Sequence, residues 1–122
     1  MLALDAGKGV LVEKPFTMNA DEARELVQTA RAKGLFLMEA MCTRFLPHIV
    51  EVSRLVNVGA LGEIVTVIAD LGYRFPKDPK SRFFAPELGG GVLLDCGVYP
   101  VSLASMVLGR PEQVRGLSLI HI

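Results

Sequence analysis

The chain has 122 residues, 51% hydrophobic and 21% charged, which supplies a core and argues against disorder. Its 13 Lys and Arg balance its 13 Asp and Glu, so no net field draws it to nucleic acid or an anionic membrane surface. The length is that of one domain or parts of two.

The apolar runs are short and broken by charge, so no membrane span is expected, and Met1–Asp5 lacks the basic start and apolar stretch of a signal peptide. Cys42 and Cys96 are far apart and in no metal-ligand spacing, which reads as reduced thiols in a cytoplasmic protein. His48 and His121 are isolated and suggest no metal site.

Residues 1–6 read as the last turn of a helix stopped at Gly7. The glycines at 7 and 9 precede an apolar run, whereas a dinucleotide fingerprint follows a strand and opens a helix, so they are not that fingerprint. Val10-Leu11-Val12 reads as a short, fully buried parallel strand. Pro15 cannot donate to a ladder, so the strand ends by Lys14. Glu13 and Lys14 are thereby placed at a strand's carboxyl end, where open α/β sheets bind ligands. By itself Lys14 reads more readily as a surface lysine beside a turn, and the rest of the chain is what moves that reading.

Asn19 and Glu22 form a capping-box pattern ahead of a helix carrying Ala23, Leu26, Val27 and Ala30 on one face, ended by Gly34. Leu35–Met38 is a second buried strand, so residues 10–40 predict a parallel βαβ unit. Glu39 then falls on the same sheet edge as Lys14 and reads as a hydrogen-bonding partner rather than a base. Pro47 opens another helix and Gly59 closes it. From Glu63 to Phe75 the pattern turns to long alternation, predicting a strand of a different, antiparallel sheet and a domain boundary near Gly59–Gly62. Residues 76–91 form a long loop ending in Gly89-Gly90-Gly91, of the kind often functional. Asp95 and Tyr99 would share a helix face, an inference that Pro100 weakens. An apolar helix then runs to Gly109, and Val114 begins another strand.

These motifs, in this order, resemble the Gfo/Idh/MocA oxidoreductases. The match rests on Glu13-Lys14-Pro15 after a strand, Arg44-Phe45-x-Pro47, Gly59-Ala60-Leu61-Gly62-Glu63-Ile64, the triple glycine and Asp95-Cys96-Gly97-Val98-Tyr99. Met38-Glu39-Ala40-Met41 before Thr43-Arg44-Phe45, and Tyr99 where most members carry His, are most similar to the dimeric dihydrodiol dehydrogenase branch. The resemblance implies an α/β chain: residues 1–60 as the C-terminal part of a Rossmann NAD(P)-binding domain, and 61–116 as the start of an α+β domain with a large, mostly antiparallel sheet. Residues 117–122 match nothing expected there and are open to being a foreign tail. The whole reads as an internal fragment of a longer enzyme.

The resemblance further implies an NAD(P)-dependent dehydrogenase, NADP slightly favoured, acting on the CH–OH groups of sugars, polyols or dihydrodiols, with no nucleic-acid or membrane partner and a homo-oligomeric full-length protein. Lys14, Tyr99 and Asp95 are its candidate catalytic residues; Glu13, Lys14, Pro15 and Arg44 its candidate cofactor-binding residues. The family usually holds the bond before this proline cis, so a cis Lys14–Pro15 bond is expected. Cys42 stands where the dihydrodiol branch usually has Trp.

Oxidising a secondary alcohol requires proton loss from the hydroxyl as hydride leaves. A phenol of ordinary pKa about 10 is a poor base at neutral pH, and a nearby ammonium lowers that value, so Lys14 and Tyr99 are expected to act together. Asp95 either orients substrate hydroxyls or caps the following helix. The readings that remain beside this one are a ligand- or nucleotide-sensing member without catalysis, and an inactive fragment. The joint presence of Lys14, Asp95 and Tyr99 speaks against the first.

Overall fold

The structure, a computed structural model, describes residues 1–117. Its first half is built on two parallel strands, β1 (Val10–Val12) and β2 (Leu37–Glu39), in register Val10 to Leu37, Leu11 to Met38 and Val12 to Glu39. The N-terminal turn, α1 (Leu2–Asp5), ends as expected at Gly7, whose φ of +71° glycine adopts without strain. Between the strands runs α2 (Ala20–Ala32), so the βαβ unit is present.

Asn19 starts α2 because its side-chain oxygen accepts from the amides of Asp21 and Glu22, at 3.1 and 3.0 Å. Glu22 reaches back to the Met18 amide at 3.1 Å, one residue earlier than the usual box. At the far end Lys33 donates to the Leu4 carbonyl at 3.1 Å and to Asp5 at 2.8 Å, tying α1 to the end of α2. Leu4 beneath this clamp is 1% exposed. Leu4, Ala30, Met41, Ala85 and Cys96 form the buried core.

Two details differ from expectation. The second strand begins at Leu37 rather than Leu35, because the Leu35 amide is used to close α2 on the Ala30 carbonyl at 2.9 Å. Nor are the strands fully buried: Leu11 in β1 is 59% exposed, and all three residues of β2 are only half-buried. Two strands and one crossover helix cover one face of a sheet and leave the other open.

A 3₁₀ turn, Cys42–Phe45, leads to α3 (Pro47–Asn57), with proline in its first turn and Gly59 at φ +70° beyond its end. Residues 63–75 are neither helical nor paired with β1, but they do not form the expected strand either. A strand exists by its ladder, and among the described residues no partner lies beside them. The large antiparallel sheet is therefore not seen, and residues 111–117 likewise form no strand at Val114.

The loop 76–91 contains a 3₁₀ turn at Pro86–Leu88. A π-helical stretch, Leu93–Gly97, then runs directly into α4 (Val98–Leu108). The run Pro86–Leu108 is 23 residues, long and apolar enough by composition to cross a membrane, contrary to the short-run reading of the sequence. It is nonetheless interrupted at Gly89–Gly91, which are not helical, and carries Glu87 and an ion-paired Asp95. Residues 118–122, most of the tail in question, lie outside the described residues.

Candidate active site

Lys14 leaves the carboxyl end of β1 and Asp95 sits in the π-helical stretch, and the fold brings them into contact. The Lys14 Nζ donates to the Asp95 carbonyl at 2.8 Å and to its Oδ1 at 3.1 Å. Both side chains are largely shielded, 18% and 14% exposed. Tyr99, one turn further on, places its ring centroid 5.0 Å from the same Nζ, within the range of a cation–π contact. Lys14, Asp95 and Tyr99 are thus brought together. The ammonium lies against the tyrosine ring and gives its hydrogen bonds to Asp95.

The proline at 100 helps to make this arrangement. It stands in the first turn of α4, where a missing N–H is tolerated, and it removes one donor that would serve the carbonyls a turn earlier. The Asp95 carbonyl lies in that earlier turn, inside the π-helical stretch. Lys14 supplies the hydrogen bond instead.

The turn that carries Lys14 is fixed from β2. Glu39 Oε1 accepts the Phe16 amide at 2.8 Å, the structural part expected of it. The Lys14–Pro15 bond is cis, as expected. Glu13 folds back to accept the Lys14 amide at 3.2 Å. Arg44 donates through Nε to Ser102 Oγ at 2.9 Å and through Nη2 to the Ser102 carbonyl at 3.4 Å, pinning the turn after β2 to α4. Pro15 faces a different cleft from Tyr99, as follows.

Two hollows flank the ion pair. One, about 570 Å³, is lined by Lys14, Tyr73, Phe75, Arg82, Asp95 and Tyr99. The other, about 450 Å³, is bounded by Pro15, Thr17, Met18, Leu26, Arg82 and Asp95. Arg82 and Asp95 are common to both. Arg82 Nη1 donates to Asp95 Oδ1 at 3.1 Å, so one carboxylate oxygen takes two cations. Arg82 was not singled out from the sequence; the signal was its place in a long loop before the Asp95 segment.

Burial alone would push the Lys14 ammonium down, but the hydrogen bond and charge of Asp95, with Tyr99 beside it, hold it above the usual amine range. Burial would likewise raise the Asp95 carboxyl, and the hydrogen bonds and charges of Lys14 and Arg82 hold it below the usual carboxylate range. The two groups are ion-paired throughout the neutral range.

The triple glycine has a close-packing part. A Cβ at Gly90 would lie 2.6 Å from the Ala85 carbonyl oxygen and 2.7 Å from its nitrogen. Gly89 faces Met18, at 3.6 Å from a built Cβ, but Gly90 is pressed on its own loop. Cys42 is exposed and Cys96 buried, both free thiols. Among the described residues no three His, Cys, Asp or Glu side chains converge on a metal-sized site.

Residues 1–41 match the oxidoreductase family with an NAD-binding Rossmann fold, and residues 49–120 match the GFO/IDH/MocA C-terminal domain. The chain is 46% identical to D-xylose 1-dehydrogenase (NADP(+)) of Hypocrea jecorina, over 93% of this chain and 32% of that protein. It is 40% identical to trans-1,2-dihydrobenzene-1,2-diol dehydrogenase of Xenopus tropicalis and 42% identical to that of Macaca fascicularis, in each case over 99% of this chain and 37% and 36% of theirs. The chain thus spans about a third of the length of the curated relatives it matches.

Proposed function

The chain belongs to the GFO/IDH/MocA family of oxidoreductases, and from that premise we propose that it carries the reacting centre of an NAD(P)-dependent dehydrogenase for the CH–OH group of a sugar, polyol or cyclic dihydrodiol. The observation that carries this is the Lys14–Asp95 ion pair against the Tyr99 ring, at the carboxyl edge of parallel strands.

The residues present suit the nicotinamide end of such a cofactor. Lys14 and Pro15 stand at that edge with open volume on both sides of the ion pair. When bound, nicotinamide supplies the acceptor for the substrate hydride. Lys14 holds the substrate oxygen and offsets the negative charge that grows on it. Tyr99 takes the hydroxyl proton in oxidation and returns it in reduction. Asp95 fixes Lys14 Nζ from two acceptor atoms, which limits the ammonium to one position. Glu13 and Arg44, engaged with the Lys14 amide and Ser102, would contribute to the cofactor side by holding the turns that face it. The antiparallel sheet to which 63–75 belongs in this reading, NADP as the preferred cofactor, a homo-oligomer and a cytoplasmic setting complete the proposal. NADP is supported by the name of the xylose-oxidising relative.

The test is formation of reduced nicotinamide by the intact protein with NADP⁺ and either D-xylose or trans-1,2-dihydrobenzene-1,2-diol. Lys14→Met and Tyr99→Phe should each lower turnover by about 10²–10⁴-fold and leave NADP⁺ affinity near normal. Retained turnover in both variants would reject this centre.

A further inference from the structure

We propose that Arg82 is a positioning residue of this site: it fixes the Asp95 carboxylate, and through Asp95 the Lys14 ammonium, so that the loop 76–91 is a working part of the centre. The inference rests on the reading of Lys14, Asp95 and Tyr99 given above.

Four observations carry it. Arg82 and Lys14 donate to the same atom, Asp95 Oδ1, each at 3.1 Å. Arg82 and Asp95 are the two residues shared by both hollows, so their bond is the partition between them. The guanidinium is itself held: its Cζ lies 4.2 Å from the Phe83 ring centroid, and Phe83 stacks on Phe75 at 4.2 Å and 15°. An arginine on an aromatic face keeps its planar fork oriented, which a lysine cannot reproduce.

The fourth observation is the backbone. The Gly91 amide donates to the Phe83 carbonyl at 2.9 Å, and the Asp95 amide donates to the Gly91 carbonyl at 3.2 Å. One glycine therefore ties the residue after Arg82 to Asp95. The loop is further closed by Ala85 on Ser81 at 2.9 Å and by Gly90 on Ala85 at 2.9 Å. Arg82 is delivered to Asp95 by a hydrogen-bonded scaffold although its side chain is 62% exposed. That exposure makes its removal tolerable for folding.

The experiment compares Arg82→Met, Arg82→Lys and Lys14→Met in the intact protein, with NADP⁺ and D-xylose or the dihydrodiol. Arg82→Met should lower kcat by about 10–100-fold, the effect of a misplaced catalytic group, with a smaller change in KM. Its kcat/KM profile should lose activity at higher pH on the acid side, since Asp95 has lost one of two cations. Guanidinium ion added to Arg82→Met should restore part of kcat, and Arg82→Lys should fall between wild type and Arg82→Met. Wild-type kcat and acid limb in Arg82→Met, beside an inactive Lys14→Met, overturn the part given to Arg82 alone. Wild-type turnover in Lys14→Met overturns the site reading and this inference with it.

Discussion

Lys14 and Asp95 are separated by 81 positions in the chain and meet twice, through the carbonyl and the carboxylate of one residue. A lysine bound to a side chain alone can follow its partner's rotamers. A lysine bound also to a backbone carbonyl is referenced to the helix itself. Shielding strengthens the attraction within the pair and also costs desolvation of both groups, and the pair joins the strand half of the chain to the helix that bears Tyr99.

The pair predicts a definite pH window for stability. Asp95 is held below its ordinary 3.8, so its contribution is present above that value and is lost as pH falls through the depressed one. Lys14 is held above its ordinary 10.5, so its contribution is present below that value and is lost as pH rises through the raised one. Asp5 and Glu51 are also held low, by Lys33 and Arg54, and will add to acid sensitivity. The difference in urea midpoint between wild type and Asp95→Asn isolates the carboxylate that Lys14 and Arg82 share. It should be flat between about 4 and 10 and shrink on both sides; a difference that is constant at all pH values would exclude the pair as its source.

Lys14 and Tyr99 should behave as one unit in kinetics. The double variant Lys14→Met, Tyr99→Phe is expected to be little slower than the slower single variant, because either change disables the same proton-transfer step. Single-turnover rates of the four proteins test this. Fully multiplicative losses would mean that the two side chains serve separate steps.

Gly90→Ala should damage the loop without touching a functional group. The added Cβ would meet Ala85 backbone atoms at 2.6–2.7 Å, and backbone cannot swing aside as a side-chain end can. Overpacking of this kind costs about 1–3 kcal/mol. The expected outcome is a lower thermal midpoint together with reduced turnover, as Arg82 loses its seat. An alanine at 90 with wild-type midpoint and turnover would show that the loop relaxes freely.

The βαβ unit was readable because its signals are local: Asn19 before the helix, Gly34 after it, two short apolar runs either side. Lys14 could be nominated from the strand-end proline, and Asp95 from the family resemblance, since Pro100 weakened its helix-face spacing to Tyr99. Their bond could not be, since it depends on where two distant segments dock. Arg82 was illegible for the same reason, and because a loop arginine has no period to betray it. The expected strand at 63–75 shows the converse limit. Alternation in Ile64, Thr66 and Ile68 states a preference for a pleated surface, but a sheet needs a neighbour that a local pattern does not contain.

The chain as a whole is electrically balanced, yet its centre is not. Two cations, Lys14 and Arg82, converge on one carboxylate oxygen; Glu22 and Glu25 offset them in the hollow beside Pro15, so the excess of one positive charge is confined to the hollow beside Tyr99. A standing potential of that sign, in a recess with low-dielectric walls, draws small anions as well as the oxygen of an alcohol about to lose its proton. Chloride, sulfate and carboxylate buffers are then expected to compete with the substrate of the proposed reaction, which makes the ionic composition of the medium a variable of the assay.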